Sequence, residues 1–414
     1  MNGSSIAEWF LIQKGQFPIK MAGQANAQPE FMHTFRKNAE TFIKEVMGMA
    51  YVLSVGTSIP KYHVSQETAA DFARGMFADS FKDIDRLLKA FQNGEIESRQ
   101  FVRPIEWYKT ARGFSEKNRL YTEETVKHSA DAALDCLTNP DCLTNPFPYE
   151  KVDAIFFISS TGLSTPSIEA KVMNQLPFSA KTKRIPIWGL GCAGGAAALS
   201  RAYEYCRAYP EAYVLVIAAE LCSLTFQPND KSKSNLIGTS LFADGIAAVL
   251  IGGEKANRND VKQPLLPRIF ATQSVMMPDA EDVMGWEFTD SGFQVIFSRD
   301  IPTLVSQWLK NNVDEFLFEY GVSPHDIKTF LAHPGGKKVI DAYLTSLSMG
   351  TGQLAASRKV LQKHGNMSSA TIFHVIKEQL LHGRQKENEK GLIGALGPGF
   401  SSELLLFSWE KGAS

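Results

Sequence analysis

Two stretches decide how this chain reads: Gly189-Leu190-Gly191-Cys192-Ala193-Gly194-Gly195 and Ala332-His333-Pro334-Gly335-Gly336. Each follows an apolar, β-type run (Arg184–Trp188 and Thr329–Leu331) and opens a helix-like segment. Each sets one reactive residue, Cys192 or His333, three positions ahead of the second glycine of a pair. A thiol and an imidazole at matching strand-to-helix turns converge on one pocket if the two halves of the chain are related by pseudo-symmetry. Cys-based acyl transfer requires such an arrangement.

The rest of the chain supports a duplicated plan. From Val52 it alternates strand-like and helix-like segments: strand Ala154–Ser159, helix Ser167–Leu176, strand Arg184–Trp188, helix Cys192–Tyr209, strand Ala212–Ala219, strand Ile246–Ile251. Helix Ile301–Tyr320, strand Lys328–Leu331, helices Lys337–Leu347 and Met367–Leu381, and strand Glu403–Trp409 repeat the theme. Two α/β halves of similar plan predict an internally duplicated, layered α/β fold. The boundary is expected in the charged stretch Gly253–Pro267, giving an N-terminal half over 49–260 and a C-terminal half over 261–414. Residues 1–48, with a polar patch at Gln24–Pro29 and a short amphipathic piece at Phe31–Met47, read as a partly disordered, non-catalytic extension. The hexamer Asp-Cys-Leu-Thr-Asn-Pro occurs twice in tandem, at Asp135–Pro140 and Asp141–Pro146. Its Asn-Pro ends mark turns, so it is expected in a surface loop without function.

Composition narrows the partners. A net charge of −1 over 414 residues gives no reason to expect nucleic acid or an anionic membrane. No apolar run approaches the roughly 18–20 residues of a spanning helix, and no signal-peptide pattern opens the chain, so a cytoplasmic location is expected. Five cysteines without a CxxC pair fit a reducing compartment and argue against a disulfide framework or a zinc site. The histidines show no metal-ligand spacing either, and no metal or cofactor is expected.

Three residues carry the chemistry. Small neighbours around Cys192 leave its thiol approachable, and a helix N-terminus favours the thiolate. Cys206 and Cys222, by contrast, read as small buried hydrophobes. His333 gains its weight from the Gly-Gly context it shares with Cys192. Asn366, in Gly365-Asn366-Met367-Ser368-Ser369, precedes a helix and reads equally as an N-cap or as an amide donor to a reacting oxygen.

Cys192, His333 and Asn366 together with the Gly397-Pro398-Gly399 turn resemble the thiolase superfamily and, within it, the type III polyketide synthases, the chalcone-synthase-like family. Leu221-Cys222-Ser223, Thr225-Phe226 and Leu241-Phe242-Ala243-Asp244-Gly245 match as well, and the resemblance covers about residues 50 to 412. The opening Tyr51-Val52-Leu53-Ser54-Val55-Gly56-Thr57-Ser58-Ile59-Pro60 resembles the bacterial, Bacillus-type alkylpyrone synthases more than the plant enzymes.

The resemblance implies a five-layered αβαβα thiolase fold and a homodimer. It implies that Cys192 takes a starter acyl group, a long-chain fatty acyl one, from a CoA thioester. His333 and Asn366 would bind the malonyl thioester carbonyl and stabilise the enolate as carbon dioxide leaves, and His333 would help hold the Cys192 thiolate. Iterative condensation with malonyl-CoA and closure to an alkylpyrone-type product would follow. Phe242 matches a gatekeeping aromatic, and Thr165, Thr225 and Gly399 fall at substrate-binding positions. Phe293 or Phe297 would supply the second gate aromatic, since Ser291–Ile301 is longer than its plant counterpart. Arg99, Gly336 and Lys337, with Lys338, are candidates for the CoA contact. Thr165 stands where plant enzymes place a Met reaching into the partner subunit, and Ala243 replaces a Gly, so plant substrate preferences do not carry over. A ketoacyl synthase III-like enzyme making a single condensation, a papain-like Cys-His-Asn hydrolase and a non-catalytic acyl-CoA-binding relative are the alternatives.

Overall fold

The computed structural model describes residues 48–298 and 301–412, so the expected extension over 1–48 lies almost wholly outside the described residues. In chain order the strands are β1 (Ala50–Ser58), β2 (Tyr62–Ser65), β3 (Ser98–Phe101), β4 (Ala154–Ile158), β5 (Lys183–Ile187), β6 (Tyr213–Leu221) and β7 (Asp244–Gly253). Then come β8 (Leu265–Met276), β9 (Met284–Thr289), β10 (Gly292–Phe297), β11 (Ile327–Ala332), β12 (Lys390–Gly397) and β13 (Ser401–Lys411). Nine of these form one mixed sheet in the order β11-β12-β13-β8-β1-β7-β6-β4-β5, with β2–β3 and β9–β10 as separate pairs.

The duplication is visible in the pairing. Strand β4 runs parallel to β6, which is antiparallel to β7, which is antiparallel to β1. The same sequence of pairings recurs as β11 with β12, β12 with β13 and β13 with β8. Only Ala50 opposite Ile269 and Tyr51 opposite Arg268 join the two halves of the sheet. Long apolar runs make the inner strands: β4, β6 and β7 are buried on both faces, apart from Tyr213 at the start of β6, as strands covered by helices must be.

Two helices sit between the sheet halves. Gly194–Ala208 touches β4, β6 and β7 on one side and β8, β12 and β13 on the other, while Thr371–His382 touches β1 and β7 together with β11. A helix covered on both sides must be apolar or small nearly all round, and Gly194 to Ser200 and Thr371 to Ile376 are all buried. Phe114–Thr138 covers the outer face of β1, β7 and β6. The helical stretch 301–319, interrupted by a π-turn at Val305–Leu309, covers the other half, packing Phe316 and Leu309 with Leu392, Leu404 and Leu406. Helix, sheet, helix pair, sheet, helix is the thiolase layering.

One element differs from its sequence expectation, and another is a strand that the sequence reading does not assign. Lys390–Gly397 is a central strand, although three of its eight residues are glycine. A Cβ on Gly391 would stand 2.2 Å from the ring of Phe407, so the residue is small because its neighbour is large. The tandem hexamer is not simply a surface loop. Its first copy closes the Phe114–Thr138 helix, and Ser54 Oγ donates to Cys136 O at 2.6 Å while Asn139 Nδ2 donates to Val55 O at 2.9 Å. The second copy turns away through a bridge between Leu143 and Val261, and both cysteines are fully buried. One hexamer thus adopts two conformations because the first copy continues a helix and the second has none to continue.

Candidate active site

Strand β5 delivers the chain to Gly189, and a tight turn over Gly191–Ala193 precedes the central helix. Gly191 has φ of +46°, and a Cβ there would lie 2.7 Å from Pro398, so the Cys192 turn and the Gly397-Pro398-Gly399 turn are packed together. Gly191 N donates to Ser160 Oγ at 3.1 Å. Gly195 meets the second central helix: its Cβ would stand 2.3 Å from Ser369 O. Gly191, Gly194 and Gly195 are therefore required by close packing, Gly195 against backbone, which brings the sulfur to the Asn366–Ser369 segment.

The Cys192 sulfur lies 4.0 Å from Asn366 Oδ1 and 3.7 Å from Ser368 Oγ. Asn366 is held by its backbone against the Leu241–Ala243 segment: Asn366 N donates to Leu241 O at 2.9 Å and Ala243 N to Asn366 O at 2.8 Å. Its side chain makes the cap that the sequence allows, and it also faces the sulfur. Oδ1 accepts from Ser368 N at 2.8 Å, a local cap, while the same amide faces the sulfur, and Nδ2 donates to Gly335 O at 3.2 Å. Gly335 in turn donates from its backbone to His333 O at 3.1 Å, so the His333 turn and Asn366 share one loop. His333 is buried, its backbone N donates to Gly394 O at 2.8 Å, and neither ring nitrogen has a hydrogen-bond partner. A buried ring without a partner inside the protein keeps its N–H free to donate to a group that enters the site.

Burial sets the resting charges. It drives the His333 imidazole down to about 3, so the ring is neutral and one nitrogen carries a proton to donate. It pushes the Cys192 thiol up to about 11, outweighing its contacts with Ser368 and Asn366, which act the other way. The expected thiolate is therefore not the state the unliganded site favours, because desolvation exceeds what two weak sulfur contacts return. Glu220, at the end of β6, adds to this. It is fully buried, accepts from Ser160 N at 3.0 Å, Thr161 Oγ1 at 2.9 Å and Ser369 Oγ at 2.5 Å, and is raised to about 7 by burial. Glu220 was legible only as an acid closing an otherwise apolar strand.

Beyond the thiol, the Phe242 ring lines an apolar cavity with Phe72, Phe101, Tyr108 and Trp286. Phe242 stacks on Phe297 at 5.5 Å between ring centroids, while Phe293 is buried against Phe114 and Phe288. Of the two candidates for a second gate aromatic, the structure therefore sets Phe297 against Phe242, and Phe293 supports the hairpin behind it. Thr225 lines the same cavity and donates to Cys222 O at 2.8 Å. Gly399, at φ +94°, belongs to the turn beneath Cys192. Thr165 lies exposed on the surface of its own chain, outside the cavity.

Arg99 does not fit a CoA contact. It is wholly buried, with Nη1 donating to Thr239 O at 2.8 Å and Phe242 O at 3.1 Å, and Nη2 to Ser240 O at 2.8 Å and to Gln66 Oε1. It clamps the carbonyl end of the Lys233–Leu241 helix and, through Phe242 O, the residue that follows it. Gly336 precedes the Lys337–Ser346 helix, where Lys337 pairs with Asp341 and, at 3.6 Å, with Glu95, and Lys338 is exposed. Among the described residues no group of three or more His, Cys, Asp or Glu could hold a metal.

Fold and site define a thiolase-type condensing enzyme. The chalcone and stilbene synthase N-terminal domain model matches residues 37–255, and the C-terminal domain model of the same family matches 268–409. A Bacillus subtilis (strain 168) protein provisionally named a chalcone synthase is 68% identical over 88% of this chain and all of that one. The 1,3,6,8-tetrahydroxynaphthalene synthase of Streptomyces peucetius subsp. caesius is 32% identical over 86% of this chain and 93% of its own. The crystal structure of the corresponding Streptomyces coelicolor A3(2) enzyme, a bacterial type III polyketide synthase, superposes with a TM-score of 0.79 at 28% identity, over 87% of this chain and 99% of that one. The chain belongs to the chalcone and stilbene synthase family: it is a type III polyketide synthase, and the papain-like alternative falls with the fold.

Proposed function

We propose that the enzyme condenses a fatty acyl-CoA starter with malonyl-CoA units and closes the chain to an alkylpyrone. The observation carrying this is a neutral, unpartnered His333 and an Asn366 amide beside the Cys192 sulfur, with Asn366 paired by its backbone to Phe242, which lines an apolar cavity. Cys192 sulfur attacks the starter thioester carbonyl, its proton leaving with the CoA thiol. Malonyl-CoA then loses carbon dioxide, and the electron pair of the broken C–C bond becomes an enolate on the thioester oxygen. His333 N–H and Asn366 Nδ2–H donate to that oxygen. Such donors are worth about 3 kcal/mol each because they are pre-aimed and desolvated. The enolate carbon attacks the acyl carbon on Cys192, and the sulfur departs to be reloaded.

A neutral imidazole suits this chemistry, since a cation would bind the carboxylate to be expelled as well as the enolate. The exposed side chains of Leu163, Trp188 and Phe288, near Thr165, support a homodimer, with Thr165 contributing at the subunit boundary. Lys337 and Lys338, beside the His333 turn, are the remaining candidates for the CoA phosphates. No described helix is long and apolar enough to cross a membrane, which is compatible with a cytoplasmic location. Mass spectrometry of products from a long-chain acyl-CoA and malonyl-CoA, without carrier protein, tests the reading. Triketide or tetraketide pyrones are expected. A single β-ketoacyl product, or activity only with a carrier protein, would overturn it in favour of a ketoacyl synthase III-like enzyme.

A further inference from the structure

The cavity behind Phe242 is lined by two hydroxyls, Tyr108 and Ser223, whose mutual hydrogen bond can reverse. Thr225 and Thr239 line it too, but their hydroxyls are committed to the carbonyls of Cys222 and Asn235, both at 2.8 Å. Asn235 Nδ2 is spent on Gln227 O and Asp230 O. Tyr108 differs because its partner is another hydroxyl. Tyr108 Oη lies 2.6 Å from Ser223 Oγ, and Ser223 Oγ lies 2.6 Å from Asp244 Oδ2. Asp244 is fully buried, and its oxygens also accept from Ser223 N at 2.7 Å and Val102 N at 2.8 Å, none of these donors a cation. Edge contacts with Phe101 and Trp107 hold the Tyr108 ring in place.

A hydroxyl donates one hydrogen bond and accepts others, so the direction of the chain is set at its buried end. With Asp244 ionised, Ser223 donates to Asp244 and Tyr108 donates to Ser223, and the phenol offers the cavity only lone pairs. With Asp244 protonated, Asp244 donates to Ser223 and Ser223 to Tyr108, and the phenol O–H is free to point into the cavity. We propose that Tyr108 is a specificity-determining contact for the growing chain: it meets a keto or enol oxygen, and the Ser223–Asp244 pair sets whether it accepts or donates. As acceptor it holds an enol O–H, the form whose oxygen closes a lactone. As donor it holds a ketone and polarises its carbon towards carbon attack. This inference rests on the polyketide reading above and adds the group that chooses among its products.

Burial raises Asp244 to about 7, so both states are accessible near neutral pH. The other titratable and charged groups around the relay are Tyr108 itself, Arg103 beside it, Cys222 and Glu220 on the β6 side, and Arg99 holding the Phe242 carbonyl. The experiment compares wild type, Tyr108→Phe and Ser223→Ala with decanoyl-CoA and malonyl-CoA, reading the ratio of lactone to carbocyclic and open-chain products across neutral pH. In wild type the ratio should change with pH, lactone rising as Asp244 ionises. Tyr108→Phe should move the ratio by about fivefold, the effect of one neutral hydrogen bond, and remove its pH dependence. Ser223→Ala keeps the phenol but cuts it from Asp244, and should flatten the pH dependence alone. A Tyr108→Phe ratio matching wild type at every pH overturns the inference, as does an unaltered pH dependence in Ser223→Ala. If wild type makes no polyketide from these substrates, the underlying reading fails instead.

Discussion

Arg99 separates a buried clamp from a surface phosphate contact, and Arg99→Met separates them by experiment. Its guanidinium serves Thr239 O, Ser240 O, Phe242 O and Gln66 Oε1, with no carboxylate partner. Leaving four acceptors, one buried and three partly buried, without donors costs about 1–3 kcal/mol each, on the order of 8 kcal/mol in the middle of the range. Removing the buried charge returns part of this. Burial lowers the group from 12.5 to about 9, which at about 1.4 kcal/mol per pH unit is about 5 kcal/mol. The net loss is about 3 kcal/mol, and for an m-value of about 3 kcal/mol/M the urea midpoint falls by about 1 M. Because Phe242 O is one of the four acceptors, the variant should also broaden the range of product chain lengths. Urea unfolding followed by fluorescence, alongside product mass spectrometry and the KM for acyl-CoA, provides the check. An unchanged midpoint with a raised KM would refute the clamp and return Arg99 to the CoA phosphates.

Further outcomes follow from the same geometry. Cys192→Ala should abolish starter loading, and covalent acylation surviving in that variant would displace Cys192 as nucleophile. Asn366→Ala should depress malonyl-CoA decarboxylation by about 100-fold while acylation of Cys192 persists; normal carbon dioxide release would leave Asn366 as a cap alone. Glu220 lies above its ordinary range, at about 7 when folded, so its contribution to stability is full below about pH 4.5 and is lost as the pH rises through 7. Glu220→Gln should therefore gain on wild type by about 3 kcal/mol between those limits, visible as a smaller drop in unfolding midpoint from acid to mildly alkaline buffer. His333 runs the other way. Neutral and lowered to about 3, it withdraws stability as the pH falls from 6.5, a loss that His333→Gln should lessen in acid unfolding. Gly195→Ala should destabilise strongly, since the added methyl would meet Ser369 O and Ile372, and a soluble variant with an unchanged melting curve would argue against that contact.

Much of this protein is written locally. The Cys192 and His333 turns, the duplicated α/β plan and the long apolar strands are legible because each depends on residues adjacent in sequence: glycines where backbones meet, continuous apolar runs where both faces of a strand are covered. What the sequence could not give depends on partners far along the chain. Lys390–Gly397 is not recognisable as a strand until Phe407 is seen filling the space that Gly391 leaves. Arg99 resembles any surface arginine until three carbonyls from residues 239 to 242 close around it. Phe293 and Phe297 are indistinguishable in a hairpin of alternating residues until one is seen against Phe242. The charge states of Cys192, His333, Glu220 and Asp244 were out of reach for the same reason. Desolvation is a property of everything packed around a group, and only the tertiary structure assembles those surroundings.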